Sequence, residues 1–283
     1  MDFNGKKAVV TGSSGGIGAA VAVALAREGC DIVLASRNVA NMEKVKKQIE
    51  VLGRKALAIA TDVSKDDSVA AMAKQAIKTF GKIDILVNNA AVGVRGTLED
   101  ISIEDWQFII NTNLMGYIRN VKAFLEHFEQ NKGGYIVNVS SIQGIGYVPE
   151  PLNIAYITTK AGIIGFTTAI HGYLKQFGIK VSCLLPGAVN TEISNNSRFV
   201  GSPEKIKKMK DDAAEFWKLP IFLTSEQEAD GLIAGMKKEE FLIFVPENMK
   251  SMLKGQGYDM ETYNAYVANP PQIRMGPPPK KLQ

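Results

Sequence analysis

The chain has 283 residues, 46% hydrophobic and 22% charged, with a formal net charge of +4. These are ordinary globular values that exclude a disordered chain, a collagen or a disulfide scaffold, and a chain this long buries roughly three-quarters of its unfolded surface without help from a metal or a partner. The densest basic group, Lys205, Lys207, Lys208 and Lys210, alternates with apolar residues and runs into Asp211 and Asp212, so it reads as a solvated helix face and no nucleic-acid partner is expected.

Along the chain, short β-branched runs alternate with longer helical patterns. Strands are predicted over 8–10, 32–35, 56–60, 85–88, 135–139, 181–185 and 241–245. Their hydrophobicity is continuous rather than alternating, as in strands buried on both faces of a parallel sheet. The spacing of Ile17, Val21 and Leu25, and of Val69, Met72, Ala73 and Ile77, predicts crossover helices between them. Such strand–helix repetition implies an α/β fold: a single doubly wound, Rossmann-type domain with a seven-stranded parallel sheet flanked by helices, over residues 1–246. Residues 191–220 interrupt the rhythm, and 247–283 add a helix and a tail rich in proline.

The first strand opens into Thr11-Gly12-Ser13-Ser14-Gly15-Gly16-Ile17-Gly18 at a helix start. Glycines there permit a tight turn and close approach of a pyrophosphate, and the helix N-terminus offers N–H donors to phosphate oxygens. Gly12, Ser14, Gly16, Ile17 and Gly18 are therefore expected to bind a dinucleotide. The second strand ends Ser36-Arg37-Asn38 with no acid to accept the ribose hydroxyls of NAD. A guanidinium suits a 2′-phosphate, so Arg37, with Ser36 and Asn38, predicts NADP(H).

Further on stand Asp62-Val63, Asn88-Asn89-Ala90-Ala91, Asn113, Ser141, Tyr156-x3-Lys160 and Pro186-Gly187-Ala188-Val189-Asn190-Thr191. With the spacing Thr-Gly-x3-Gly-x-Gly, these motifs resemble the classical short-chain dehydrogenase/reductase family over residues 5–245. The resemblance implies hydride transfer between a nicotinamide and a carbonyl carbon. Tyr156 is the implied acid/base, Lys160 tunes it and holds the nicotinamide ribose, Ser141 binds the carbonyl oxygen, and Asn113 anchors a relay water. Asn111 is set aside on position alone. The resemblance also implies cofactor contacts at Asp62, Val63, Asn89, Pro186, Gly187, Val189 and Thr191. Ala91 stands where the family usually has glycine. A Tyr-x3-Lys pair fits the chemistry, because side chains four apart share a helix face and a nearby ammonium favours the phenolate needed for proton transfer.

In the family, residues 191–220 form a substrate lid. Its Ile193, Phe199, Ile206, Met209, Phe216, Trp217 and Leu219, facing Tyr147, Val148, Leu152 and Ile154, imply a hydrophobic ketone or aldehyde reduced to an alcohol. An NAD-dependent secondary-alcohol dehydrogenase is the alternative, and a non-catalytic NADPH-binding regulator the alternative of another class. His127 and His171 lack ligand-spaced partners, so no metal is expected. No Gly-x-Ser-x-Gly elbow or Walker motif appears. No membrane span is expected, because the apolar run 19–26 is far short of the roughly twenty residues required. Cys30 and Cys183 read as buried thiols of a reducing compartment, and the start Met1-Asp2-Phe3-Asn4 has no signal pattern, so the protein is expected to be cytoplasmic. Its partners are a small carbonyl or alcohol substrate and, by family habit, a second copy of itself in a homo-oligomer (dimer or tetramer).

Overall fold

The computed structural model describes residues 1–145, 152–189, 193, 196–216 and 223–255. In chain order the strands are β1 (Lys7–Thr11), β2 (Asp31–Ser36), β3 (Ala56–Ala60), β4 (Ile85–Asn88), β5 (Val94–Arg95), β6 (Gly134–Val139), β7 (Ile179–Pro186), β8 (Arg198–Phe199) and β9 (Leu242–Val245). Seven of them form one parallel sheet in the order β3-β2-β1-β4-β6-β7-β9. All seven predicted strands are present. A small pairing was not foreseen: β5 lies parallel to β8 outside the main sheet.

The register explains the continuous apolar runs. Ala8 and Val10 of β1 enter one core with Ile32, Leu34, Ile85 and Val87, whereas Val9 enters the other with Val33, Leu86 and Ile136. Both faces are covered by helices, so neither set of alternating side chains meets water. One layer contains α1 (Gly16–Arg27), α2 (Val39–Val51) and α8 (Ser225–Lys238); the other contains α3 (Asp66–Phe80), α5 (Met115–Gln130) and α6 (Ile154–Leu174). The helix α4 (Ile103–Asn113) runs into α5 at Leu114, and α7 (Pro203–Phe216) follows β8. The last helix among the described residues, α9 (Met249–Gly255), follows β9. No helix among the described residues is long and apolar enough to cross a membrane.

Because β2 lies on one side of β1 and β4 on the other, the chain reverses direction across the sheet at that point. In open α/β sheets the crevice beyond the carboxyl ends of such strands is where ligands bind.

Candidate active site

A cleft of about 1010 Å³ opens at this switch point. Its floor is the turn after β1. Gly12 has φ of 66°, a left-handed conformation that a side chain would strain. Gly18 lies behind the floor, where a Cβ would stand 2.4 Å from both the Gly12 carbonyl oxygen and Asn89 Nδ2. Helix α1 follows Gly15 with no side-chain cap and no acidic residue in its first turn, so the N–H groups of its first turn, which lines the cleft, meet no competing carboxylate. Asn89 locks this floor to β4: its amide donates to the carbonyls of Thr11 (3.0 Å) and Gly12 (3.3 Å), while its own N–H donates to Thr11 Oγ1 at 3.0 Å. This geometry leaves room for a pyrophosphate and supplies its donors.

One end of the cleft is formed by Ser14, Ser36, Arg37, Asn38, Asp62 and Val63. Ser36 Oγ donates to Ser14 Oγ at 2.9 Å. Asn38 caps α2, its side chain accepting the Asn41 N–H at 3.0 Å. Arg37 is exposed at the rim. The Asp62 carboxylate turns back on its own loop and accepts from Ser64 N (3.0 Å) and Ser64 Oγ (2.7 Å). Partial burial opposes ionisation of Asp62, but the Ser64 bonds and the Arg37 charge outweigh it and hold the carboxyl below its usual range.

The other end holds Ser141, Tyr156 and Lys160 together. Lys160 is fully buried, and its Nζ donates to the Val139 carbonyl at 2.8 Å. It lies 5.4 Å from the centre of the Tyr156 ring and 5.9 Å from that of Tyr117. Burial pushes Lys160 down to about 7, so this ammonium can hold or release a proton near neutrality, as an exposed lysine cannot. Ser141 Oγ accepts the Gln143 N–H at 3.2 Å, within the 3-10 turn Ile142–Ile145 that follows β6.

Asn113 does not line the cleft. It is fully buried at the end of α4, where its Oδ1 accepts from Val92 N (2.9 Å) and its Nδ2 donates to Val92 O (3.0 Å) and Thr159 Oγ1 (3.1 Å). Thr159 Oγ1 in turn donates to the Tyr156 carbonyl at 2.8 Å. The amide thus joins the cleft wall at Val92 to the helix that carries Tyr156 and Lys160. Ser140, the neighbour of Ser141, donates to the Lys160 carbonyl at 2.7 Å and pins the same helix to the end of β6.

Pro186, Gly187 and Val189 line the cleft beside the catalytic-type cluster, as does Ala91; Thr191 lies outside the described residues, as do Tyr147, Val148, Trp217 and Leu219. Arg95, Gln143, Asn153, Asn196, Ser197 and Met249 also reach the cleft. No motif marks them, because they arrive from segments far apart in the chain. Among the described residues no cluster of His, Cys, Asp and Glu could hold a metal.

A seven-stranded sheet of this order, a glycine floor under an uncapped helix, and a Ser–Tyr–Lys cluster at the strand ends can together bind a dinucleotide and hold a carbonyl oxygen near a proton donor. The family model described as short chain dehydrogenase matches residues 6–199. The chain is 34% identical over 212 residues to glucose 1-dehydrogenase 2 of Bacillus subtilis, covering 74% of this chain and 81% of that protein. Its fold superposes on a short chain dehydrogenase/reductase from Burkholderia phymatum in complex with NAD, with a TM-score of 0.82, 26% identity, and coverage of 93% of this chain and 96% of the other. It also superposes on an alcohol dehydrogenase from Thermococcus sibiricus complexed with 5-hydroxy-NADP, with a TM-score of 0.71, 28% identity, and coverage of 84% and 95%. The chain therefore belongs to the short chain dehydrogenase family, oxidoreductases that act on the CH–OH/C=O couple.

Proposed function

We propose that the protein is an NADPH-dependent reductase that converts a hydrophobic ketone or aldehyde to an alcohol. The observation that carries the choice of cofactor is the carboxyl end of β2, where Arg37 stands at the cleft rim and the nearby Asp62 carboxylate is engaged by Ser64. A guanidinium there matches a 2′-phosphate, whereas the carboxylate that would accept from a ribose hydroxyl is missing from the strand end. Gly12, Ser14, Gly16 and Ile17 would hold the pyrophosphate, with Gly18 giving α1 its close approach and Asn89 bracing the floor. Ser36 and Asn38 would flank the phosphate, Asp62 and Val63 the adenine, and Pro186, Gly187, Val189 and Thr191 the nicotinamide. When bound, the cofactor would supply the hydride.

The chain's own groups would do the rest. Ser141 donates a hydrogen bond to the carbonyl oxygen and Tyr156 gives that oxygen its proton as charge develops on it. Lys160, beside the Tyr156 ring, favours loss of that proton and binds the ribose. Asn113 acts through Val92 and α6; with its amide occupied, its main chain is what remains to hold a relay water. Residues 191–220, with Ile193, Asn196 and Ser197 at the cleft, would form the lid. We place the protein in the cytoplasm, consistent with two buried free thiols, and as a homo-oligomer, supported by the exposed apolar Leu98, Ile103 and Met115 around α4.

The test is equilibrium binding of NADPH and NADH to wild type and Arg37→Asp. Wild type should favour NADPH and the variant should reverse the ratio by about tenfold or more, since charge-assisted bonds to a phosphate are lost and a carboxylate is placed against it. An unchanged ratio overturns the role of Arg37. Tighter NADH binding by wild type redirects the search to alcohol oxidation.

A further inference from the structure

The matched family segment ends at residue 199, yet one wall of the cleft comes from beyond it. Helix α9 is held in place at two points. Leu253 is fully buried in the apolar cluster of Cys183, Leu185, Phe241, Leu242 and Phe244. Lys250 pairs with Glu240 at 3.4 Å and lies over the Phe244 ring. Met249 precedes Leu253 by four residues and so shares its helix face one turn earlier. There the Met249 side chain becomes part of the cleft wall. It packs against the same cluster, as do Ile145 and Ile164. It also occupies the space that Gly187 leaves open: a Cβ on Gly187 would lie 2.5 Å from Met249 Cε and 3.3 Å from Sδ. The thioether therefore forms cleft wall against Gly187, in the loop after β7, and packs on the same apolar cluster as Ile145 of the turn after β6.

We propose that Met249 is a specificity-determining residue: its flexible thioether forms the apolar stop against which a carbonyl substrate's hydrocarbon arm packs, so α9 sets the size of ketone the enzyme accepts. Methionine suits this place because an unbranched, polarizable side chain fills irregular gaps and adjusts to different shapes. The substrate class that follows is a ketone with one apolar arm directed towards α9. This deepens the carbonyl-reductase reading and rests on it, so the experiment separates the two.

NADPH binding to wild type, read by the cofactor's fluorescence, comes first, and its absence would overturn the reductase reading. With the binary complex in hand, 2-butanone and 4-phenyl-2-butanone serve as a compact and a bulky probe. Binding to the NADPH complex and kcat/KM are measured for wild type, Met249→Ala and Met249→Trp. Removing the thioether should raise the bulky-over-compact ratio of kcat/KM about tenfold and the indole should lower it by a similar factor, the size expected for a change of a few methylenes in an apolar pocket. The NADPH dissociation constant should stay within about twofold in both variants. Met249→Cys gives a readout without turnover, because Cys30 and Cys183 are fully buried: N-ethylmaleimide should add one label, and the labelled protein should keep NADPH binding while losing the bulky ketone. A folded Met249→Cys protein whose introduced thiol fails to react overturns the proposal. So does an unchanged ketone ratio, weakened NADPH binding by the variants, or a wild-type NADPH complex that binds neither ketone.

Discussion

Lys160 is a fully buried cation set beside the Tyr156 ring in the cleft, a placement that suits chemistry better than stability. Lys160 has a backbone carbonyl and two rings around it, and burial moves it towards neutrality. If Tyr156 supplies the proton, Tyr156→Phe should lower kcat by about 10²–10⁴-fold, the usual worth of general acid catalysis, with NADPH affinity unchanged by fluorescence titration. Glu228 presents the opposite case. It is fully buried on α8, and neither carboxylate oxygen has a hydrogen-bond partner among the described residues. Burial raises it from 4.5 to about 8. The folded protein thus keeps a proton that the unfolded chain releases. That stability is complete below pH 4.5 and is lost as the pH rises through 8. Glu228→Gln, which stays neutral, should gain on wild type progressively across this window in urea unfolding, and a constant difference at all pH values would refute the argument.

At the scale of elements, α4 and α5 do more than cover the sheet. Arg119 of α5 donates to the Asn111 carbonyl at 3.0 Å and to Asn111 Oδ1 at 2.7 Å, and it pairs with Asp66 at the start of α3. Asn111 Nδ2 donates to the Ser64 carbonyl at 3.3 Å. The turn carrying Asp62 and Val63 is thereby clamped from two sides. The Arg119–Asp66 pair is exposed at Asp66 and contributes little by itself; the bonds to Asn111 are half-buried and hold the geometry. Arg119→Ala should weaken NADPH and NADH alike, by about fivefold for the loss of one such charged bond, with kcat unchanged. A loss confined to NADPH would place the effect at Arg37 instead. The sequence set Asn111 aside on position and gave no sign of this role, since nothing local ties residue 111 to residue 64.

For the whole molecule, stability rests on two apolar layers separated by the sheet. Phe128 is fully buried in the layer under α5, stacked on Phe124 with ring centres 6.0 Å apart. Phe128→Ala should cost about 3–5 kcal/mol in urea unfolding, from lost burial and the cavity left behind. Cofactor affinity should change little at concentrations of urea where the variant remains folded, because the residue lies at the opposite end of the strands from the cleft. Its neighbours confirm that placement: Phe128 contacts the region of Gly134 at the start of β6, whereas Ser140 and Ser141 follow that strand's other end.

Some of this was legible in one dimension. The seven strands, the glycine floor and the Tyr156–Lys160 spacing are local patterns: continuous apolar runs report burial on both faces, and side chains four apart on a helix meet whatever surrounds them. The parts that only the tertiary structure decided depend on contacts between distant residues. The β5–β8 pairing joins segments about a hundred residues apart in sequence. The Asn113 amide is taken up by Val92 and Thr159. Met249 reaches the cleft because β9 delivers α9 beside the loop after β7. None of these leaves a periodic trace, because the packing that places them is set by side chains on other elements. A family pattern therefore identifies the chemistry of this chain, while the wall of its cleft is completed when the chain's last described helix folds back onto the sheet.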